Sequence, residues 1–188
     1  MDDFATVGFQ ARKAAQIAAY FVGRAGQSID KVRLMKLIYL SERNFIKQHS
    51  EPMLYDELYS FELGPVCSNT LDGVNGAFNG TWSPYVQLSP DDKMTVVSGA
   101  TFSRNDLDEL SDVEMEVLNS AWTSFGWMNR DQIVNYTHVN CPEYTETVKG
   151  TKAPIQYEEL FRILGFSHPE ELAKEIDEYR RISGVLPA

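Results

Sequence analysis

The sequence predicts a mainly α protein, a single compact helical domain with a small β-hairpin element. The strongest observation is the run of residues 31–47, whose apolar side chains recur at helical spacing and occupy nearly half of the helix surface. A second observation is a helix-start pattern that recurs three times later in the chain. The third is that no internal repeat and no linker rich in Pro, Gly or Ser interrupts residues 1–188, which favours one domain.

The first part of the chain is predicted to contain two long helices. The first covers about residues 6–24, and Ser28 is the predicted N-cap of the second, at residues 31–47. Residues 54–63 mix the helical and the strand period, so a strand and an irregular segment both stay open there. The following Gly64-Pro65 pair is predicted to form a turn, because proline fixes φ and lacks an N–H while glycine tolerates unusual dihedral angles.

The middle of the chain carries weaker helical signals. Residues 68–78 are predicted to form a short helix, and Asn79-Gly80 marks a turn after it. Residues 81–101 scatter Gly, Ser, Pro and Asp among apolar side chains, which is typical of a small hairpin with Pro90-Asp91-Asp92 as its turn. This segment supplies the minor β component of the predicted fold.

Three further helices are predicted from a shared start signal, in which Ser or Asn precedes Glu or Gln by three residues. The three signals lie at Ser111 to Glu114, Asn129 to Gln132 and Ser167 to Glu170. The first helix is expected to run to about Phe125 and the second to Pro142. The last, with Gly184 just past its end, belongs to a C-terminal helical extension that we assign to residues 155–183.

The charge balance disfavours two classes of partner. With 17 Lys plus Arg against 27 Asp plus Glu, the formal net charge is −10, so the overall field repels phosphate backbones and anionic lipid headgroups. The positive charge of the first 50 residues lacks the interleaved aromatic residues of a recognition pattern and is interpreted as a solvated helix face. We therefore expect neither direct nucleic-acid binding nor a membrane partner.

The expected location is cytoplasmic. The first residues lack a positively charged leader region, and the apolar stretch at residues 14–22 is too short to span a bilayer. Cys67 and Cys141 are 74 positions apart and belong to no disulfide-rich pattern, so both are predicted to be thiols.

A search for catalytic residues predicts that the protein is not an enzyme and needs no cofactor or metal. The histidines at positions 49, 138 and 168 have no metal-ligand spacing, and no glycine-rich phosphate loop occurs. One alternative is a hydrolase in which the fold brings Cys67 to His138 as thiolate and base. The favoured interpretation is a small buried cysteine and a histidine that interacts with the end of a helix.

Aromatic residues in or near the predicted connections are candidates for partner contacts, because Tyr and Trp are common anchors of protein interfaces. They are Tyr55, Tyr59, Trp82, Tyr85, Trp127, Tyr136 and Tyr144. Each taken singly is expected to pack on the protein's own core, and one or two of the set are expected at an interface.

Three short segments, taken in order, form a motif. Its residues are Leu34, Leu37 and Tyr39, then Gly64, Pro65 and Val66, then Thr137 and His138. Over about residues 10–145 the chain resembles the Panacea domain, also called the SocA-like antitoxin domain. Family members often carry a tryptophan segment before Gly-Pro-Val and a Pro-Trp pair after Thr-His. This chain has Phe61 and Pro142-Glu143-Tyr144 at those places.

The resemblance implies an antitoxin of a bacterial or phage-associated toxin-antitoxin system, which binds and neutralises a cognate protein toxin by direct contact. In some members the antitoxin is a proteolytic adaptor that delivers the toxin to a protease. That alternative, which needs a protease or chaperone as a third partner, stays open. The eight motif residues are expected to shape the domain rather than to contact the toxin.

Overall fold

The computed structural model describes residues 8–183, and helices make up most of that range. The helices are α1 (Ala11–Arg24), α2 (Lys31–His49), α3 (Ser68–Val74), α4 (Asn79–Trp82), α5 (Asp112–Phe125), α6 (Arg130–Asn140), α7 (Tyr157–Leu164) and α8 (Pro169–Ser183). A short 3-10 helix at Arg104–Asp106 precedes α5. The predicted mainly α class is confirmed.

Short strands form two antiparallel sheets of three strands each within the described range. The strands are β1 (Ser28–Asp30), β2 (Leu58–Phe61), β3 (Gly64–Cys67), β4 (Gln87–Leu88), β5 (Thr95–Val97) and β6 (Ala153–Ile155). One sheet has the order β1-β5-β4 and the other β3-β2-β6. The β4–β5 pair is the predicted hairpin. The β component is larger than predicted, because it also includes the β2–β3 hairpin and the strands β1 and β6, which come from distant segments of the chain.

Helix α1 is buried on all sides over residues 14–22. Such a helix must be covered all round, so α1 lies inside the core. It begins at Ala11, later than predicted, after Gly8 with its positive φ of +80°. Thr6, the predicted start, lies outside the described residues. Gln16 is buried within α1 and donates a hydrogen bond from Nε2 to the Tyr85 hydroxyl at 3.0 Å.

The predicted N-cap of α2 is wrong by two residues. Asp30 caps the helix, and its Oδ1 accepts a hydrogen bond from the Arg33 amide at 2.9 Å. Ser28 instead pairs with Val97 in the β1–β5 ladder. The helix starts at Lys31, as the sequence predicts, directly after β1 ends and with the adjacent Asp30 as its cap.

The predicted turn at Gly64-Pro65 is also displaced. The two turn residues are Glu62 and Leu63, and Gly64 and Pro65 open strand β3 opposite Phe61 and Ser60. Strand β3 lies at the edge of its sheet, where a proline without an N–H is tolerated. The open choice for residues 54–63 is resolved as an irregular segment followed by β2.

The short helix after Gly-Pro-Val ends at Val74, earlier than predicted, and Gly76 follows with a φ of +100°. Asn79-Gly80 is not a turn but the start of α4. Trp82 ends that helix and is buried, with its indole packed against Gly73 so closely that no larger side chain fits at residue 73. Tertiary packing of one tryptophan therefore organises this segment.

Helices α5 and α6 begin as their start signals predict. Ser111 with Glu114 and Asn129 with Gln132 both form complete capping boxes. In the C-terminal part, β6 and α7 precede α8, which begins at Pro169; Gly184 lies outside the described residues. The Tyr157 hydroxyl donates to the Asp56 carbonyl oxygen at 2.8 Å, which joins this part of the chain to the segment before β2.

Candidate partner-binding surface at the Gly-Pro-Val hairpin

The three motif segments meet around Gly64, although up to 104 positions separate their residues in the sequence. A Cβ atom at Gly64 would lie 2.7 Å from Thr137 Oγ1, 3.1 Å from Lys36 Nζ and 3.2 Å from His138 Cδ2. The backbone of Gly64 also has a φ of +100°, which L side chains rarely adopt. Glycine is required at this first position of β3 both by the positive φ and by the close approach of side chains from α2 and α6.

Most of the motif residues are buried. Leu34, Leu37, Tyr39, Gly64, Pro65, Val66 and Thr137 lie in the interior, whereas His138 is exposed. The His138 ring stacks on Tyr144 with 4.4 Å between ring centroids. Partial desolvation and the nearby charge of Lys36 lower the pKa of His138. The role of these eight residues stays a prediction.

Lys36 is buried, which corrects the interpretation of the positive charge in the first 50 residues as a solvated helix face. Its side chain is 2% exposed, and Nζ donates one hydrogen bond, to the Pro65 carbonyl oxygen at 2.7 Å. Burial lowers the pKa of Lys36 to about 7, against the opposing effect of the Cys141 and Cys67 thiols. The signal was present in the sequence: Lys36 is the one charged residue in the otherwise apolar stretch 34–40.

The buried Lys36 predicts a pH-dependent difference in stability. Its pKa rises from about 7 in the folded protein to its usual value near 10.5 on unfolding, so the unfolded chain binds more protons between those pH values. Stability therefore increases with pH through that window, and Lys36→Met lacks this contribution. We expect the free energy of unfolding of the wild type to increase by about 3 kcal/mol relative to that of Lys36→Met between pH 7 and 10, measured by urea denaturation.

Lys93→Met is the matched control, because Lys93 is exposed in the β4–β5 connection. The wild type should show no such pH-dependent increase in the free energy of unfolding relative to Lys93→Met. A difference between wild type and Lys36→Met that stays constant from pH 7 to 10 would contradict the burial of a titrating amine.

Two buried carboxylates hold the segment between α2 and α3. Glu42 accepts hydrogen bonds from the amides of Met53 and Leu54 at 3.0 and 3.1 Å, and burial raises its pKa to about 8. Asp56 accepts from the Thr70 amide at 2.9 Å and the Thr70 hydroxyl at 2.6 Å. Burial raises the pKa of Asp56 to about 6, although these hydrogen bonds oppose the increase.

A third carboxylate, Glu143, joins α2 to the end of the motif region. It accepts from the Tyr39 hydroxyl at 2.7 Å and from Arg43 Nε at 2.6 Å. Arg43 is mostly buried, and its guanidinium neutralises the negative charge of the Glu143 carboxylate. The aromatic motif residue Tyr39 thus positions the segment after α6, which sequence reasoning did not foresee because the contact spans 104 positions.

The structure does not support a Cys67–His138 catalytic pair. Cys67 is fully buried, and burial, reinforced by the carboxylates of Asp56 and Glu42, raises the pKa of its thiol well above the usual range. Within residues 8–183 no hydrogen bond joins Cys67 to His138. A buried thiol of high pKa is a poor nucleophile. Both cysteines are free, as predicted.

The described part of the chain contains neither a cluster of metal ligands nor a membrane-spanning helix. Residues 8–183 hold no group of three or more His, Cys, Asp or Glu side chains placed to bind a metal ion. In the same range, every helix is too short or too polar to cross a lipid bilayer.

A groove of about 450 Å³ opens beside the motif, between the first half of α2, the β2–β3 hairpin and residues 150–152. Its surface is mainly apolar and includes Val32, Met35 and Leu63. Leu63 stands on the hairpin turn with 36% of its surface exposed. The groove is therefore a candidate site for a partner or a ligand.

The candidate aromatic residues divide into three groups. Trp82 is 1% exposed, so it belongs to the core and is not a partner contact. Trp127 is 68% exposed, at the connection between α5 and α6. The remaining five tyrosines are partly buried. Contact of Trp127 or of any tyrosine with a partner stays a prediction.

The sequence of residues 34–143 matches the family model described as antitoxin SocA-like, Panacea domain. This range covers more than half of the chain and contains all eight motif residues. The chain belongs to the SocA-like Panacea domain family. Comparison with curated proteins and with solved structures gives no match. Family membership indicates an antitoxin role, a toxin as partner and a function that is not enzymatic.

Proposed function

We propose that this protein neutralises a cognate protein toxin by direct binding in the cytoplasm, as the antitoxin of a toxin-antitoxin pair. The observation that carries the proposal is the family match over residues 34–143. The mainly apolar groove supports a binding role, because a desolvated apolar centre is the usual core of a protein interface. The burial of Cys67 argues against the hydrolase alternative.

The proposed mechanism is steric occlusion of the toxin. A stable complex would bury on the order of 1,600 Å² of total surface, enough to cover a substrate-binding or target-binding face. The eight motif residues have a supporting role in this proposal: they hold the β2–β3 hairpin against α2 and α6. A hairpin held in this way loses little conformational entropy on binding, which favours affinity.

We also propose that residues 1–188 form one domain, with a C-terminal helical extension at 155–183. Arg180 supports this organisation, because its guanidinium donates to the Tyr55 carbonyl oxygen at 2.9 Å. Tyr55 and Tyr179 also stack, with 3.9 Å between ring centroids. Both contacts join α8 to the segment that precedes β2.

The experiment that tests the antitoxin function is co-expression with each neighbouring gene. We expect one neighbour to arrest growth when it is induced alone, and this protein to relieve the arrest and to co-purify with the neighbour's product. The same plasmid with the start codon of this gene removed is the control. Neighbours that are harmless, or an arrest that this protein leaves unchanged, would contradict the proposal.

The toxin level distinguishes direct neutralisation from the adaptor alternative. Occlusion leaves the amount of toxin unchanged while growth recovers, because the toxin persists in the complex. An adaptor would lower the toxin level, and growth would recover only in a host that keeps the protease. An immunoblot of the tagged toxin during recovery measures this difference.

A further inference from the structure

The groove beside the motif differs in chemistry from another cavity of similar size. That cavity, of about 430 Å³, lies between β2, β6 and the two C-terminal helices. Its walls are polar, and its Arg162 is already paired with Glu158 and Glu159. The groove at the hairpin has mainly apolar walls instead, so covering it with an apolar group is more favourable in free energy than covering the polar cavity.

Positive charge is concentrated around this groove, although the protein as a whole carries a net charge of −10. Lys31 and Lys152 lie on its rim and Lys36 in its wall, against one acidic residue, Glu62. Lys31 donates to the Asn75 side chain, and Lys152 lies over the Tyr59 ring at 3.9 Å. Within residues 8–183 neither Lys31 nor Lys152 forms an ion pair, so the charges of these two lysines remain available to a carboxylate. Lys36 is buried and its Nζ donates to the Pro65 carbonyl oxygen, so it supplies no accessible charge.

The apolar part of the groove is available at the hairpin turn. Leu63 has no β-sheet partner and stands beside the turn residue Glu62. The next residue, Gly64, lies close to α2 and α6, since a Cβ atom added there would come within 2.7 Å of Thr137 Oγ1 and 3.1 Å of Lys36 Nζ. A side chain that enters the groove therefore contacts an apolar surface with Lys31 and Lys152 on its rim.

We propose that this groove receives a segment of the partner protein that carries an apolar side chain next to a carboxylate. The apolar side chain packs between Val32 and Leu63, and the carboxylate is attracted to Lys31 and Lys152. Charge complementarity favours an acidic segment over a basic one, because like charges across an interface are strongly unfavourable. The identity of the partner as the toxin rests on the proposed function.

A random-peptide library displayed on phage tests the groove without a known toxin. Panning on the purified full chain should enrich peptides in which a Leu, Phe or Met neighbours Asp or Glu. The affinity of a labelled consensus peptide, measured by fluorescence anisotropy, should decrease as salt is added, because the rim charges are screened. Enriched peptides without acidic residues would overturn the proposal.

Two sets of variants locate the bound peptide. Leu63→Asp should weaken binding at least about tenfold, since it places a charge where the apolar contact forms. Lys31→Glu with Lys152→Glu should weaken it as strongly through charge reversal. The matched controls are Val113→Asp, at an apolar residue 45% exposed on α5, and Lys93→Glu with Lys174→Glu. Both controls should bind as the wild type does.

The remaining outcomes each overturn the proposal in favour of another occupant. A consensus that matches Asp2-Asp3-Phe4 of this chain would indicate an internal contact. A dimer in sedimentation experiments that Leu63→Asp dissociates would indicate a second copy. Equal peptide affinity for Leu63→Asp and wild type would place the binding site elsewhere.

The same variants separate this inference from the antitoxin function. If wild type and Leu63→Asp relieve toxin arrest equally well, the groove is not the toxin site and the antitoxin function stands. If wild type relieves no arrest, the antitoxin function fails, and the peptide experiment still decides what the groove binds. If wild type relieves arrest and Leu63→Asp, folded by thermal melt, does not, both proposals are supported.

Discussion

Gly64→Val is expected to lower the free energy of unfolding by about 3 to 5 kcal/mol. Two physical effects add. A β-branched residue at a φ of +100° is strained whatever space surrounds it. In addition, the new Cβ would lie 2.7 Å from Thr137 Oγ1 and 3.1 Å from Lys36 Nζ, so these two buried side chains must shift from the positions in which Thr137 bonds the Val134 carbonyl oxygen and Lys36 bonds the Pro65 carbonyl oxygen.

Thermal unfolding followed by circular dichroism measures this effect. For a protein of this size we expect Tm to fall by roughly 10 °C, at about 2 to 4 °C for each kcal/mol. Gly99→Val is the matched control, because Gly99 is exposed and a Cβ atom added there would meet no other atom within 4 Å. Equal Tm values for Gly64→Val and wild type would show that the hairpin does not need glycine.

Asp56→Ala is expected to lower the free energy of unfolding by a similar amount, about 3 to 5 kcal/mol. The Asp56 carboxylate accepts hydrogen bonds from the amides of Asn69 and Thr70, at 2.8 and 2.9 Å, in the first turn of α3. The residue at the N-cap position, Cys67, supplies no side-chain cap. Asp56 therefore caps α3 from a distance, and alanine would remove the acceptor of both buried amides.

Thr70→Val is the comparison variant for Asp56→Ala. It removes the 2.6 Å hydrogen bond from the Thr70 hydroxyl but leaves both amide contacts, so we expect a loss of about 1 kcal/mol. Urea denaturation of the two variants at constant pH measures the difference. Similar losses for both would mean that the amide contacts to Asp56 contribute little to stability.

The stability variants and the groove variants separate two causes of lost antitoxin activity. Gly64 and Asp56 are buried, so their replacement should reduce activity together with stability. Leu63 and Lys152 are exposed, so their replacement should reduce partner binding while the melting temperature stays near that of the wild type. A loss of activity in Leu63→Asp without a loss of stability points to the contact surface.

Local signals predicted several elements well. The apolar period of α2 extends over many residues, and the capping boxes at Ser111 and Asn129 satisfy helix N–H groups within three residues. Such interactions need no distant partner, so periodicity and spacing alone reveal them. The β4–β5 hairpin is local in the same sense, with its turn between paired strands.

Non-local contacts caused the errors. Ser28 lies in a strand because Val97 pairs with it, and Asn79 starts a helix in a segment where Trp82 packs on Gly73. Lys36 and Glu42 are charged residues on a helix, for which the ordinary expectation is solvent exposure. Their burial depends on elements that arrive much later in the chain.

The sequence by itself determined the mainly α class, the starts of α5 and α6 and the family. Helical periodicity and capping boxes are properties of neighbouring residues, and the order of the three motif segments is visible along the chain without knowledge of their contacts. Only the tertiary structure decided that α2, the hairpin and α6 meet at Gly64, that Lys36 is buried there and that an apolar groove opens beside them. The physical reason is that close packing and desolvation depend on which distant surfaces come together.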